Sequence, residues 1–137
     1  MEWGKESEVF RSVLDHRKLR PYYTELLGDG YRMDHQPFCI LQNKGSEGFS
    51  LHGGTTDCQS GTYNPHIAYN CHNNKLYCHL LAVSVALRDQ NAGDGGFVVV
   101  NGSHKSNFAM PGEMIEGLDH TEYITQPVMK AGKFSIA

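Results

Sequence analysis

Long hydrophobic stretches are missing from this chain. Its apolar runs are short, Leu80–Val83 and Phe97–Val100 among them, far below the ~18 residues of a membrane helix. The opening residues, Met1-Glu2-Trp3-Gly4-Lys5-Glu6, lack the basic and then apolar layout of a secretory signal. Basic charge is scarce as well. Twelve Lys and Arg against 15 Asp and Glu leave a net charge of −3, which argues against a nucleic-acid surface driven by bulk charge. Cys39, Cys58, Cys71 and Cys78 form no Cys-x-x-Cys pair. Without a secretion signal they read as free, mostly buried thiols of a reducing cytosol, so a cytoplasmic protein is expected. Membrane protein, collagen, coiled coil and basic nucleic-acid binder are excluded as classes.

What remains is ordinary globular composition: 39% hydrophobic and 20% charged over 137 residues. That length suits one domain and buries roughly two-thirds of the unfolded surface without staples. Eight histidines are many for such a chain, and they are the first hint of chemistry.

Residues 1–30 read as a helical leader. Val9, Phe10, Val13 and Leu14 fall on one face, and Leu19, Tyr23, Leu26 and Leu27 repeat the spacing. Pro21 is tolerated early in the second helix, and Gly28-Asp29-Gly30 stops it. From residue 31 to 137 the pattern is strands and turns. Candidate strands are Tyr31–Met33, Phe38–Gln42, Phe49–His52, Ile67–Cys71, Leu76–Leu87, Gly96–Val100, Tyr123–Met129 and Phe134–Ile136. Asn73-Asn74 reads as a hairpin turn, because asparagine tolerates positive φ. Short strands separated by glycine-rich turns predict an all-β core, a sandwich or barrel, behind the helical leader.

Two stretches carry a resemblance. One is Phe49-Ser50-Leu51-His52-Gly53-Gly54. The other runs from Ala82 to Asp89 and on through Gly93-Asp94-Gly95-Gly96 and Phe97–Val100 to Asn101-Gly102-Ser103-His104-Lys105. Together they resemble the phytanoyl-CoA dioxygenase family of Fe(II)/2-oxoglutarate oxygenases, whose second stretch ends in Pro-Gly-Ser-His-Lys; Asn101 stands in the proline's place. Tyr31-Arg32-Met33-Asp34-His35 and Lys130-Ala131-Gly132 also look like members of that family. The resemblance spans about Leu26 to Gly132. It implies a double-stranded β-helix, the cupin-like jelly roll, with the metal at its open mouth. It implies Fe(II), 2-oxoglutarate and O₂ as cofactor and co-substrates, and hydroxylation of a small organic or acyl substrate. Such a centre needs two imidazoles and a carboxylate on one face of the iron.

The resemblance makes His52 the leading metal ligand, although glycine stands where the family's carboxylate follows it. Three readings stay open there: Asp57 or Asp34 supplies the acid, a halide takes the vacant place as in Fe(II) halogenases, or the site is incomplete. Tyr69, Asn70 and Ser84 are candidates to bind the co-substrate, each equally readable as a packed wall position. His104 and Lys105 read as turn residues. A zinc site from Cys71, His72, Cys78 and His79 is disfavoured, because strand neighbours point to opposite faces. No histidine follows His120 and no arginine follows Arg88, so the family's distal histidine and 2-oxoglutarate anchor are missing from their expected places. The chain therefore reads as part of a longer enzyme, or alternatively as a catalytically incomplete jelly-roll pseudoenzyme or binding module. An incomplete jelly roll leaves a strand edge through which two copies could pair.

Overall fold

The computed structural model describes residues 7–57, 60–115 and 121–137. The chain divides into two compact units, Met1–Ser46 and Glu47–Ala137.

In the first unit α1 (Ser7–Leu14) and α2 (Arg20–Leu27) follow the apolar spacing. Leu19 and Tyr23 are buried, whereas Val9 and Phe10 on α1 are exposed. Pro21 lies in the first turn of α2, where its missing N–H loses no helical bond. Gly28 ends the helix at φ +90° and donates its N–H to Thr24 O at 3.0 Å. The Tyr23 and Tyr31 rings pack at a tilt of 55° with centroids 5.2 Å apart. Tyr31 Oη donates to Leu14 O at 3.0 Å, tying the chain after α2 back to α1. Burial, and then Tyr31, push the Tyr23 phenol above its ordinary value, so it stays protonated and donates to Val13 O at 3.4 Å. The expected strands Tyr31–Met33 and Phe38–Gln42 do not form, and Phe38, Ile40 and Leu41 are exposed. A short apolar run suits a strand only where another segment completes its backbone bonds.

The second unit is built from three antiparallel ladders, with no closed barrel among the described residues. β1 (Tyr69–His72) pairs with β2 (Lys75–Cys78) through Asn73 and Asn74, at φ 51° and 61°. Both turn residues sit in the left-handed region, as a two-residue hairpin requires. β3 (Val83–Val85) pairs with β6 (Phe134–Ile136), and β4 (Val99–Val100) pairs with β5 (Ile124–Thr125). The expected strand Leu76–Leu87 is thus two strands on different partners. The β3–β6 register continues beyond the strands through Ala82–Ala137, Ala86–Lys133 and Gln90–Met129, so residues 82–90 run against 129–137.

Side chains replace backbone pairing where this ribbon breaks. Asp89 accepts from Lys130 Nζ at 2.7 Å and from the Ala131 N–H at 2.9 Å. In the 91–95 turn, Asp94 Oδ2 accepts from the backbone and side-chain amides of Asn91, both at 2.9 Å. Gln126 reaches across to the same turn: its Oε1 accepts from the Gly93 N–H at 3.1 Å, and its Nε2 donates to the carbonyls of Asn91 and Gly95. Asn101 Nδ2 donates to Thr125 Oγ1 at 3.0 Å, a bond that a proline at this position could not make. Gly93-Asp94-Gly95-Gly96 is a turn, as read from the sequence.

These bonds set an acid sensitivity. The Lys130 ammonium, helped by the Ala131 N–H, holds the Asp89 carboxyl below its ordinary value. The Asn91 backbone N–H, helped by its side-chain amide, does the same for Asp94. A carboxyl with a lowered folded-state value adds stability above its unfolded value, and that contribution fades as pH falls through the folded value. The urea midpoint should therefore stay level from neutrality down to pH ~5 and fall through and below the ordinary aspartate range near ~3.9. The combined Asp89→Asn and Asp94→Asn variant should show a flatter acid limb in the same titration.

Candidate functional site

The site begins with a departure from the expected strand Phe49–His52. Among the described residues, one backbone bond ties this segment, from the Leu51 N–H to Ile115 O at 2.6 Å. Gly53 and Gly54 follow at φ +101° and +84°, so the chain turns away instead of pairing on. The His52 ring is exposed, and its Nδ1 lies 2.8 Å from Ser50 O. A carbonyl oxygen can only accept, so Nδ1 carries the proton and donates. In the tautomer this bond selects, the lone pair lies on Nε2. A backbone carbonyl fixing the tautomer from the second nitrogen is the arrangement that metal-binding histidines use.

Asp57 Oδ1 accepts from Ser60 N at 2.6 Å and from Ser60 Oγ at 2.7 Å, between Thr56 and Tyr63, which pair across an antiparallel bridge. Thr55, just before it, is buried, and its carbonyl accepts from the Asn64 N–H at 2.8 Å. Thr56 Oγ1 donates to Asn107 O at 3.4 Å.

The three candidate co-substrate residues are held by different neighbours. Tyr69 is half-buried, lies opposite Cys78, and meets the His104 ring edge-on at 4.9 Å. Asn70 points to the other face of β1, where its Nδ2 donates to Tyr63 Oη at 3.4 Å. Ser84 lies on β3 opposite Ser135, in a separate ladder. His104, read as a turn residue, is thus the ring that packs on Tyr69. No local signal foretells this, because the pairing is made by tertiary packing of the Ser103–Lys105 turn on β1. The remaining candidate, Asp34, belongs to the first unit, as does its neighbour His35, whose Nδ1 donates to Gln36 O at 3.0 Å. His66 is exposed in the Pro65–Ile67 turn capped by Asn64. Among the described residues, no three of His, Cys, Asp and Glu converge to hold a metal ion.

The thiols correct one expectation. Cys39 and Cys71 are exposed and Cys78 is half-buried, so these three are not the buried thiols the composition suggested; Cys58 lies outside the described residues. Burial raises the Cys78 thiol above its ordinary value, against a smaller lowering effect of the Leu80 backbone, and its Sγ donates to Leu80 O at 3.2 Å. A thiol kept protonated is a poor nucleophile and a poor ligand. The β1–β2 register puts Cys71 and Cys78 on one face and His72 on the other.

No protein-family model, curated protein or solved structure matches the chain. No helix among the described residues is long and apolar enough to cross a membrane.

Proposed function

We propose that this chain is the scaffold of a non-haem Fe(II)/2-oxoglutarate oxygenase of jelly-roll type, acting on a small organic or acyl substrate, in which His52 supplies an imidazole ligand. The observation that carries the reading is the His52 Nδ1–H bond to Ser50 O at 2.8 Å. It leaves Nε2 as the metal-facing nitrogen in the motif that resembles the phytanoyl-CoA dioxygenase family. The iron would supply the oxidising chemistry, and the protein orients ligands and substrate around it. One imidazole does not make a facial triad, and the described residues do not fit a complete iron site. Their part is ligand donation by His52, and no later step is assigned to them.

Two observations bear on the alternatives. Gly54 holds φ +84°, a conformation that suits glycine far better than a carboxylate residue, and this disfavours an acid at that position. Tyr69, Asn70 and Ser84 are engaged by separate neighbours, which favours a non-catalytic jelly-roll module over an enzyme that gathers them on one co-substrate. The deciding assay follows succinate formed from 2-oxoglutarate, with Fe(II) and O₂, by the full product of the gene. The oxygenase reading expects succinate in step with O₂ uptake, and no turnover would leave the module.

A further inference from the structure

The β1–β2 hairpin carries two thiols that the His52 site does not use. Its register sets Cys71 opposite Leu76 and Tyr69 opposite Cys78. Paired residues share a face and strand neighbours alternate, so Cys71 and Cys78 stand diagonally across one side of the ribbon. The pairing runs one step further, since the His79 N–H donates to Ala68 O at 3.0 Å. His72 and His79 therefore fall together on the other side, each turned away from the cysteine before it. Cys71 is exposed, and Cys78 is half-buried with Sγ donating to Leu80 O at 3.2 Å.

Spacing decides what such a pair can hold. Diagonal neighbours lie ~7–8 Å apart at Cα and somewhat less at Cβ. A disulfide needs Cα atoms within ~4.4–6.8 Å and sulfurs ~2 Å apart, so the ribbon would have to distort to form one. Two thiolates on opposite sides of one ion stand ~4–5 Å apart, the length of two metal–sulfur bonds of ~2.3 Å. The diagonal suits that span. Among the described residues no third His, Cys, Asp or Glu joins the pair. Structural zinc wants four ligands, whereas soft thiolates select Cu(I), which is satisfied by two.

We propose that Cys71 and Cys78 form a two-coordinate site for a soft monovalent cation of the Cu(I) class. Binding is ligand exchange without electron transfer: two S–H bonds break, two sulfur–metal bonds form, and two protons leave to solvent. Cys78 rests as a protonated thiol, and a coordinated cation deprotonates such a thiol outright. The site stands on the hairpin register and does not depend on the reading of His52.

The test offers Cu(I) to the reduced full chain under anaerobic conditions, in competition with bathocuproine disulfonate. Thiols left free are mapped by N-ethylmaleimide labelling and peptide mass spectrometry. An equimolar amount of Cu(I) should protect Cys71 and Cys78 together and leave the exposed Cys39 open to the label. Cys71→Ser and Cys78→Ser should each weaken Cu(I) binding by at least about tenfold, as expected for loss of a ligand, whereas Cys39→Ser should stay within about twofold of the parent. Labelling of both thiols at an unchanged rate in the presence of Cu(I) would overturn the site, without recourse to any variant. Protection of Cys39 or Cys58 in place of either residue would overturn it too, as would parental affinity in Cys71→Ser or Cys78→Ser. A Cys71–Cys78 disulfide forming readily in a glutathione redox buffer would contradict the spacing on which the site rests.

Discussion

Gly96→Ala is expected to destabilise the second unit by about 1 kcal/mol, the net of two opposing effects. Gly96 holds φ +97°, where an L side chain is strained by about 1–2 kcal/mol. Alanine returns about 0.4–1 kcal/mol by restricting the unfolded chain. A new Cβ would also lie 3.1 Å from Gln90 Cδ and 3.2 Å from its Oε1. That contact is the smaller effect, because the amide is the far end of a flexible side chain. Gln90 Oε1 is buried without a hydrogen-bond partner, so moving it breaks no bond. Backbone strain should therefore dominate. Gly95, at φ +82° with open space around its Cβ position, should lose nearly as much on substitution, whereas Gly48, open and without positive φ, should lose little. For a unit of this size, 1 kcal/mol corresponds to roughly 4–8 °C in Tm, well within the reach of calorimetry. Equal Tm values for Gly96→Ala and Gly48→Ala would contradict the strained turn.

His52→Ala should act on the opposite quantity, weakening metal binding while leaving stability alone. Losing a group that merely orients a metal ligand typically weakens affinity by about 10–100-fold, so losing the ligand itself should weaken it at least that much. The ring is exposed and its Nδ1 bonds to the nearby Ser50 O, so the change in folding stability should stay within about 0.5 kcal/mol. Co(II) titration and urea unfolding of the same variant separate the two. A large fall in stability with unchanged Co(II) affinity would make His52 a structural residue.

Much of the local structure was legible in the sequence because short-range chemistry dictates it. Asn73-Asn74 had to accept positive φ, and the hairpin is there; Pro21 and Gly28 mark the bounds of α2 as their backbone chemistry requires. The strand Phe134–Ile136 was read with its own bounds. Strand partnership was not legible. Whether Leu76–Leu87 is one strand or two depends on which segments meet it, and the meeting of β3 with β6 is a long-range event. Phe38–Gln42 carries the same apolar signal as a strand and forms none. At the candidate site, residue types picked out His52, but its tautomer comes from the Ser50 carbonyl, which is set by backbone conformation. The packing of His104 on Tyr69 and the clamp of Gln126 on the 91–95 turn join segments far apart in the chain, and no periodicity encodes them.

The central claim is that His52 presents an unprotonated Nε2 to a metal, and ring nitrogen spectroscopy tests it most directly. Two-bond ¹H–¹⁵N spectra of the full chain distinguish the two imidazole nitrogens, before and during titration with Zn(II) as a diamagnetic stand-in for Fe(II). The account predicts a His52 ring with the proton on Nδ1, and a Zn(II)-dependent shift of Nε2 that saturates and is absent in His52→Ala. A ring protonated on Nε2, or an Nε2 signal unmoved while Zn(II) shifts another histidine, would contradict it.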